Sequence, residues 1–472
     1  MEGPKLSISA LDLACSLRAS RPRLSMRRSI VGRRALSLKA GRRPSTALAH
    51  TSSPEFLDQR LSKSTLEAAS TDATGSVWLR WSDGAGGSFH PLWLRDNCPS
   101  VRHAASRQKL VSAAALSRDL AVESVECEPE RLRVRWHPDG HVSEFCAAWL
   151  RELGGSGDGG AVDAADAADA ADADALASST PTLPEFEYSE LRAGGDAAAH
   201  QWLSALAAHG ATLLRGVPCE EHRVAEVAEL IGPLQPQIYG DTFDVRSEPR
   251  PINLAYTGEA IGPHMDLCYY ESPPGLQLLH CMRFDDAVEG GESVLIDGFA
   301  VGERLRRDDP AAFETLARVP ATFVKDHAQR ENPVLMSYQR PHLALDGRRR
   351  LVGVFWSPPF EGPLRVAPAD VGPYYDAYRA LDAAIAGAPA VRRRLRPGEM
   401  LVFNNRRMLH GRDAFGTDDG VRWLRGCYVC IDEFANKCNL LRRRFADADA
   451  ATPRHLGNQD WGTALTALPP QQ

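Results

Sequence analysis

The chain has 472 residues, a formal net charge of −6, 43% hydrophobic and 25% charged residues. That balance is ordinary for a globular protein and offers no electrostatic case for nucleic acid or a membrane surface as a partner. No apolar run reaches the ~18 residues a membrane-spanning helix needs, and ten scattered cysteines fit reduced thiols better than a disulfide framework.

Residues 1–50 differ from all that follows. Nine arginines stand there against two acids, Glu2 and Asp12, among many Ser, Ala and Leu. This is the composition of an organellar transit peptide, which predicts mitochondrial localisation first and plastid second. The alternative is a plain basic tail on a cytoplasmic protein.

Residues 76–152 read as a small β-rich domain. Val77–Trp81 and Leu132–Trp136 carry apolar residues at period two, and Val122–Cys127 keeps that alternation only at Val125 and Cys127. A domain of this size has a marginal core and gains from a structural metal. Residues 153–182 then become Gly-rich and repeat Asp-Ala-Ala, with almost nothing to bury, and are expected to form a disordered acidic linker.

Residues 183–445 form the main domain, followed by a polar tail, 446–472. Helical spacing over His200–His209 ends at Gly210, and a second amphipathic segment, His222–Ile231, stops before Gly232-Pro233. Strands are expected at Ala211–Arg215, Leu276–Cys281, Ser293–Ile296, Leu351–Trp356, Met400–Asn404 and Arg422–Ile431. Many short strands with helices mostly at one end predict an α+β, mainly β architecture: an antiparallel double-sheet barrel of the jelly-roll type.

In extended backbone His264 and Asp266 project from one face, and two histidines with one carboxylate form the facial triad of non-haem Fe(II) oxygenases. Alone, His-x-acid says little. Composition predicts about two such triplets by chance, and two are present, His264–Asp266 and His137–Asp139. Downstream context is more specific. A strand after Pro397-Gly398 and Asn404-Asn405 leads to His410, and twelve residues later Arg422 opens a strand on whose one face lie Arg422, Leu424, Gly426 and Tyr428. An arginine facing a barrel interior needs an anion, from a protein carboxylate or a dicarboxylate cosubstrate. Arg425 faces the other way and is expected to be solvated.

The order His264-x-Asp266, His410, Arg422 resembles the 2-oxoglutarate-dependent dioxygenases. More narrowly it resembles the gamma-butyrobetaine and trimethyllysine dioxygenase family of carnitine biosynthesis, through Tyr239–Phe243, Asn253–Thr257, Pro273–Cys281, Gly290–Phe299 and Asn404–Arg412. The resemblance implies a double-stranded β-helix catalytic domain with His264, Asp266 and His410 on Fe(II) and Arg422 on the far carboxylate of 2-oxoglutarate. O2 would be consumed, with ascorbate as reductant. Ser293 stands where relatives outside this branch place a threonine near the cosubstrate; the other reading is strand packing.

A quaternary ammonium donates no hydrogen bond, so aromatic faces must hold it. Tyr239, Phe243, Tyr256 and Tyr428 match the family's aromatic cage, with Phe243 in place of the usual Trp. Asn253 matches the residue that contacts the substrate carboxylate in butyrobetaine dioxygenases; the trimethyllysine enzymes carry an acid there. Leu267 replaces a tyrosine that helps hold that carboxylate. The implied activity is hydroxylation of gamma-butyrobetaine to L-carnitine. The alternatives are trimethyllysine or another small acid as substrate, and a non-enzymatic scaffold barrel stabilised by metal.

Residues 92–103 resemble the family's zinc motif, giving Cys98, His103 and the distant His141 as ligands. Ser100 stands where a fourth cysteine can occur, and His137 could fill that position. Hydroxyl oxygen is a poor zinc ligand, and structural sites normally use four strong ones. Family members are dimers, so a homodimer is expected.

Overall fold

The computed structural model describes residues 64–102, 109–110, 113–153, 171–246, 254–327, 333–416 and 420–445. The expected transit segment, the C-terminal tail, His103 and Asn253 lie outside these residues. Among the described residues, no helix is long and apolar enough to cross a membrane.

Two three-stranded antiparallel sheets build the N-terminal part. The first joins β1 (Leu66–Thr71), β2 (Val77–Trp81) and β3 (Gly86–Phe89); the short helix α1 (Pro91–Asp96) follows. The second joins β4 (Ala121–Glu128), β5 (Arg131–His137) and β6 (Val142–Cys146), and leads into α2 (Ala147–Leu153). Alternation decides the burial: Val77, Leu79 and Trp81 point inward with Leu132, Val134, Trp136 and Phe145 to form one core. The weak alternation of β4 reflects an almost wholly exposed strand.

Residues 171–177 are helical (α3), where a disordered linker is expected. The alanines that argue for a helix prevail because Leu176 finds apolar neighbours and the Ala177 carbonyl accepts two hydrogen bonds from Arg304.

The main domain pairs a six-stranded with a four-stranded sheet. The six-stranded sheet takes β7 (Glu185–Glu187), β8 (Ala211–Arg215), β9 (Thr242–Val245), β11 (Leu276–Phe284), β18 (Met400–Asn404) and β20 (Arg422–Val429) in the order β7-β8-β18-β11-β20-β9. The four-stranded sheet takes β10 (Ile261–His264), β12 (Ser293–Asp297), β17 (Val391–Arg393) and β19 (Met408–Arg412) in the order β10-β19-β12-β17. Every pair is antiparallel except β7–β8. This is the expected double-sheet arrangement.

Helices α4 (Tyr188–His209), α5 (Arg223–Glu229) and α9 (Ile431–Phe445) cover the outer face of the large sheet. Helix α4 ends at Gly210, whose φ of 76° supplies the left-handed cap that its sequence predicts. Two hairpins, β13 (Ala321–His327) with β14 (Val334–Arg340) and β15 (Leu343–Leu345) with β16 (Leu351–Val354), join α6 (Gly298–Asp308), α7 (Pro310–Arg318) and α8 (Pro368–Ala386) around a second core. Strand β20 stops at Val429, two residues earlier than expected, because Ile431 begins α9 with its side chain in the apolar core beneath that helix.

The turn between β18 and β19 joins the sheets and is almost fully buried. Asn404, Asn405, Arg406 and Arg407 are 2%, 0%, 7% and 3% exposed. Arg407 Nη2 reaches Asp297 Oδ2 at 2.6 Å and its Nη1 reaches the Ala207 and Ala208 carbonyls at the end of α4. Asp297 also caps α6 by accepting from the Phe299 and Ala300 amides.

Candidate active site

The mouth between the two sheets opens a cavity of about 950 Å³, its open end included. At its centre three ligand-type side chains converge. His264 and His410 are cross-strand partners in the β10–β19 pairing, so antiparallel register alone sets their rings side by side, 4.3 Å between centroids. Asp266, just past the end of β10, places Oδ1 3.3 Å from His264 Nε2 and Oδ2 3.6 Å from His410 Nε2. The ligand atoms of the three residues lie within 4.8 Å of one another.

The charge states of Asp266 and His410 suit a metal, whereas His264 would release a proton from Nε2 on binding one. Burial pushes the His410 imidazolium down to about 3, with His264 adding to the effect, so His410 is neutral. Burial alone would raise the Asp266 carboxyl, but His410, His264 and a hydrogen bond from Tyr428 outweigh it and hold the group well below the usual carboxylate range. Burial also disfavours a charged His264, yet its contact with Asp266 prevails and raises it. His264 Nδ1 lies 2.9 Å from the Gly262 carbonyl, which accepts its proton and leaves Nε2 for a metal. One carboxylate and two imidazoles on one side of an open space form the 2-His-1-carboxylate donor set suited to Fe(II).

The deep end of the cavity is cationic. Arg422 is 4% exposed, donates from Nε to the Gly291 carbonyl at 3.0 Å, and lies over Phe284 and Phe415. Among the described residues no carboxylate stands within ion-pair distance, and burial together with the Arg412 charge pushes it down to about 10. The protein-carboxylate alternative for Arg422 thus finds no partner, and an anion entering the cavity meets a guanidinium still able to donate. Arg412 is committed instead: its Nη atoms donate to the carbonyls of Ala255, Thr257 and Glu259. Ser293 lines the same end and pairs with Arg412 across β12–β19. Arg425, expected in solvent, bonds Asp244 Oδ1 at 2.9 Å and Thr242 Oγ1 at 3.0 Å, because β9 extends the sheet on that side.

The opposite wall is aromatic. Phe243 stacks on Tyr428 at 5.0 Å and meets Tyr239 at 6.1 Å, and Tyr256 lines the cavity on the short turn Leu254–Tyr256. The Tyr428 hydroxyl donates to Asp266 Oδ2 at 2.8 Å, so the cage wall touches the candidate metal centre. Sequence reasoning missed Tyr269, Phe360 and Gln277, which also line the cavity. Gln277 is 3% exposed and its Oε1 has no hydrogen-bond partner. A polar residue on the inward face of an otherwise apolar strand was its one sequence signal.

In the N-terminal part, Cys98 Sγ lies 3.1 Å from Ser100 Oγ and 3.4 Å from His141 Nε2, and Ser100 Oγ lies 3.4 Å from the same nitrogen. Cys98 and Ser100 thus meet His141, 43 and 41 positions further along the sequence. Among the described residues no hydrogen bond or ion pair brings His137 to them, and Asp139 pairs with Arg95 at 3.1 Å.

Fold, donor set and buried arginine define a 2-oxoglutarate-dependent dioxygenase, a class that uses Fe(II). Residues 175–428 match the taurine catabolism dioxygenase TauD, TfdA family, and residues 70–151 match the gamma-butyrobetaine hydroxylase-like N-terminal domain. The chain is 33% identical to a gamma-butyrobetaine dioxygenase of Pseudomonas sp. (strain AK-1), over 80% of this chain and 97% of that protein. It is 28% identical to the trimethyllysine dioxygenase of Meyerozyma guilliermondii, over 78% and 93%, and 28% identical to human gamma-butyrobetaine dioxygenase, over 80% and 97%. The chain therefore belongs to the gamma-butyrobetaine and trimethyllysine dioxygenase family.

Proposed function

We propose that this enzyme hydroxylates gamma-butyrobetaine to L-carnitine. The observation that carries the reading is the stack of Phe243 on Tyr428 with the Tyr428 hydroxyl on Asp266, which sets a cation seat against the candidate metal centre. A trimethylammonium group is held there by π faces alone, and the adjacent methylene carbons then fall toward the metal. Arg422 would take the far carboxylate of 2-oxoglutarate, with Ser293 beside it. His264, Asp266 and His410 would hold Fe(II), which when bound would supply, with 2-oxoglutarate and O2, oxidative decarboxylation to succinate and CO2 and an oxygen atom for the C–H bond. Around it the chain's own work is orientation: the cage fixes which carbon faces the centre, and the apolar wall of Leu267, Leu279 and Leu424 keeps water away.

Asn253 is assigned to the substrate carboxylate. Trimethyllysine is the second reading, supported by the buried Leu267 at the cavity wall in place of a carboxylate-binding tyrosine. Cys98, His103 and His141 are assigned to a structural zinc, with Ser100 near the fourth position, residues 1–50 to mitochondrial targeting, and the active form to a homodimer.

Succinate release with purified, iron-loaded protein tests the reading. Stimulation by gamma-butyrobetaine well above that by trimethyllysine is expected. The reverse order moves the assignment to trimethyllysine, and iron-dependent turnover with neither overturns it.

A further inference from the structure

We propose that Asn405 is the positioning residue of the metal carboxylate, bracing Asp266 from the buried β18–β19 turn and thereby setting the affinity of the centre for its metal. The inference rests on the reading of His264, Asp266 and His410 as the metal ligands.

Asp266 sits two residues beyond the end of β10, where no ladder partner fixes its backbone. Its backbone polar groups are instead taken by one side chain. Asn405 Oδ1 accepts from the Asp266 amide at 3.0 Å, and Asn405 Nδ2 donates to the Asp266 carbonyl at 3.1 Å and to the Pro274 carbonyl at 3.2 Å. The Asn405 amide donates in turn to the Gly275 carbonyl at 2.8 Å. A carboxamide that meets both N–H and C=O of one residue reproduces the two-point pairing of a strand neighbour. Asn405 is wholly buried, so no water competes for these bonds.

The brace has something to hold. Leu267, immediately after Asp266, has φ 63°, a left-handed conformation that is strained for a bulky residue and persists only where the surroundings impose it. Released, the backbone relaxes out of this turn, and the carboxylate leaves the line between the two imidazoles. Neighbouring contacts lock the rest of the segment: Arg406 donates to the Pro273 carbonyl, and Arg340 to the Tyr270 and Glu271 carbonyls. None of these touches Asp266 itself. Among the described residues, Asn405 alone connects the turn to the ligand residue, and it does so through backbone, which leaves both carboxylate oxygens for the metal and for Tyr428.

The test is metal binding by the full-length apo-protein, read from the visible absorption of Co(II) and by competition with Fe(II) under anaerobic conditions. Asn405→Asp keeps an acceptor for the Asp266 amide and loses both donors. We expect its Co(II) dissociation constant to rise by roughly ten- to a hundredfold, the range for groups that orient a metal ligand, with an altered Co(II) spectrum. Val224→Ala, a core truncation on α5 outside the cavity lining, serves as the destabilised control and should bind Co(II) as the parent does. A dissociation constant within twofold of the parent for Asn405→Asp overturns the proposal. So does an equal loss in Val224→Ala, which would make the effect one of general stability. If Asn405→Asp does not fold, Asn405→Ser is read by the same criteria. Failure of the parent chain itself to bind Co(II) or Fe(II) would instead overturn the metal-site reading.

Discussion

Phe243 lies across Gly426, on the neighbouring strand. A β-carbon added at Gly426 would come within 2.5 Å of Phe243 Cζ and 3.0 Å of a Leu279 methyl. The cage ring thus lies flat on bare backbone, and glycine is the one residue that lets it pack there while still stacking on Tyr428. Gly426→Ala should lift the ring out of place. The loss is set by cation–π attraction, about 1–2 kcal/mol, or roughly five- to thirtyfold in substrate affinity. Calorimetric titration should show weaker substrate binding with 2-oxoglutarate binding unchanged; an unchanged substrate affinity would remove Phe243 from the cage.

Arg422→Met replaces a buried cation by an apolar chain of similar length. Removing one partner of a desolvated ion pair costs about 2–5 kcal/mol, so the 2-oxoglutarate dissociation constant should rise thirtyfold or more. The apo-protein should melt no lower than the parent, because a cation with no carboxylate within reach no longer has to be buried. Unaltered 2-oxoglutarate dependence would transfer the role to another group.

Gln277→Met should stabilise the fold. The buried Oε1 has no hydrogen-bond partner among the described residues and penalises the folded state by about 1–3 kcal/mol. An apolar side chain of like shape should therefore raise the apo melting temperature, measured by calorimetry. A lower melting temperature would show that the amide is already satisfied.

Glu361 gives the pH dependence of stability. Burial pushes its carboxyl up to about 7, opposed by a hydrogen bond from Tyr378 and reinforced by Asp382. An acid with a raised folded-state value holds its proton in the folded protein, so the stability it adds is complete below the unfolded value near 4.5 and is lost as pH rises through about 7. After discounting for its partial exposure, the expected fall between pH 4.5 and 8 is about 1–2 kcal/mol. Chemical denaturation across that range should show this decline in the parent and a flatter profile in Glu361→Gln.

The site was legible where side-chain chemistry and strand period act together. Period two along Arg422–Tyr428 puts Arg422, Leu424 and Tyr428 on one face, and all three line the cavity. The pairing of His264 with His410 was not legible, because register between strands about 145 residues apart is a tertiary property. Arg425 was misjudged for a related reason: its ion-pair partner sits on β9, a four-residue strand whose pairing beside β20 no local pattern predicts. Helix α3 went the same way, since a polar, alanine-rich stretch folds only where Arg304 and an apolar surface receive it. The role of the buried Asn405 in the β18–β19 turn was not legible, because nothing in a turn sequence says which distant backbone it will meet.

Tyr428 belongs to two sites at once, its ring to the aromatic seat and its hydroxyl to Asp266. On the proposed reading, that sharing would link the metal and the trimethylammonium ligand thermodynamically. Whatever factor a bound metal applies to the affinity for the organic cation, the cation must apply to the affinity for the metal, because the two routes to the ternary complex close one cycle. A measured difference in substrate affinity between the metal-free and metal-loaded protein would thus give the coupling free energy directly. Its disappearance in Tyr428→Phe would assign that coupling to a single hydroxyl group.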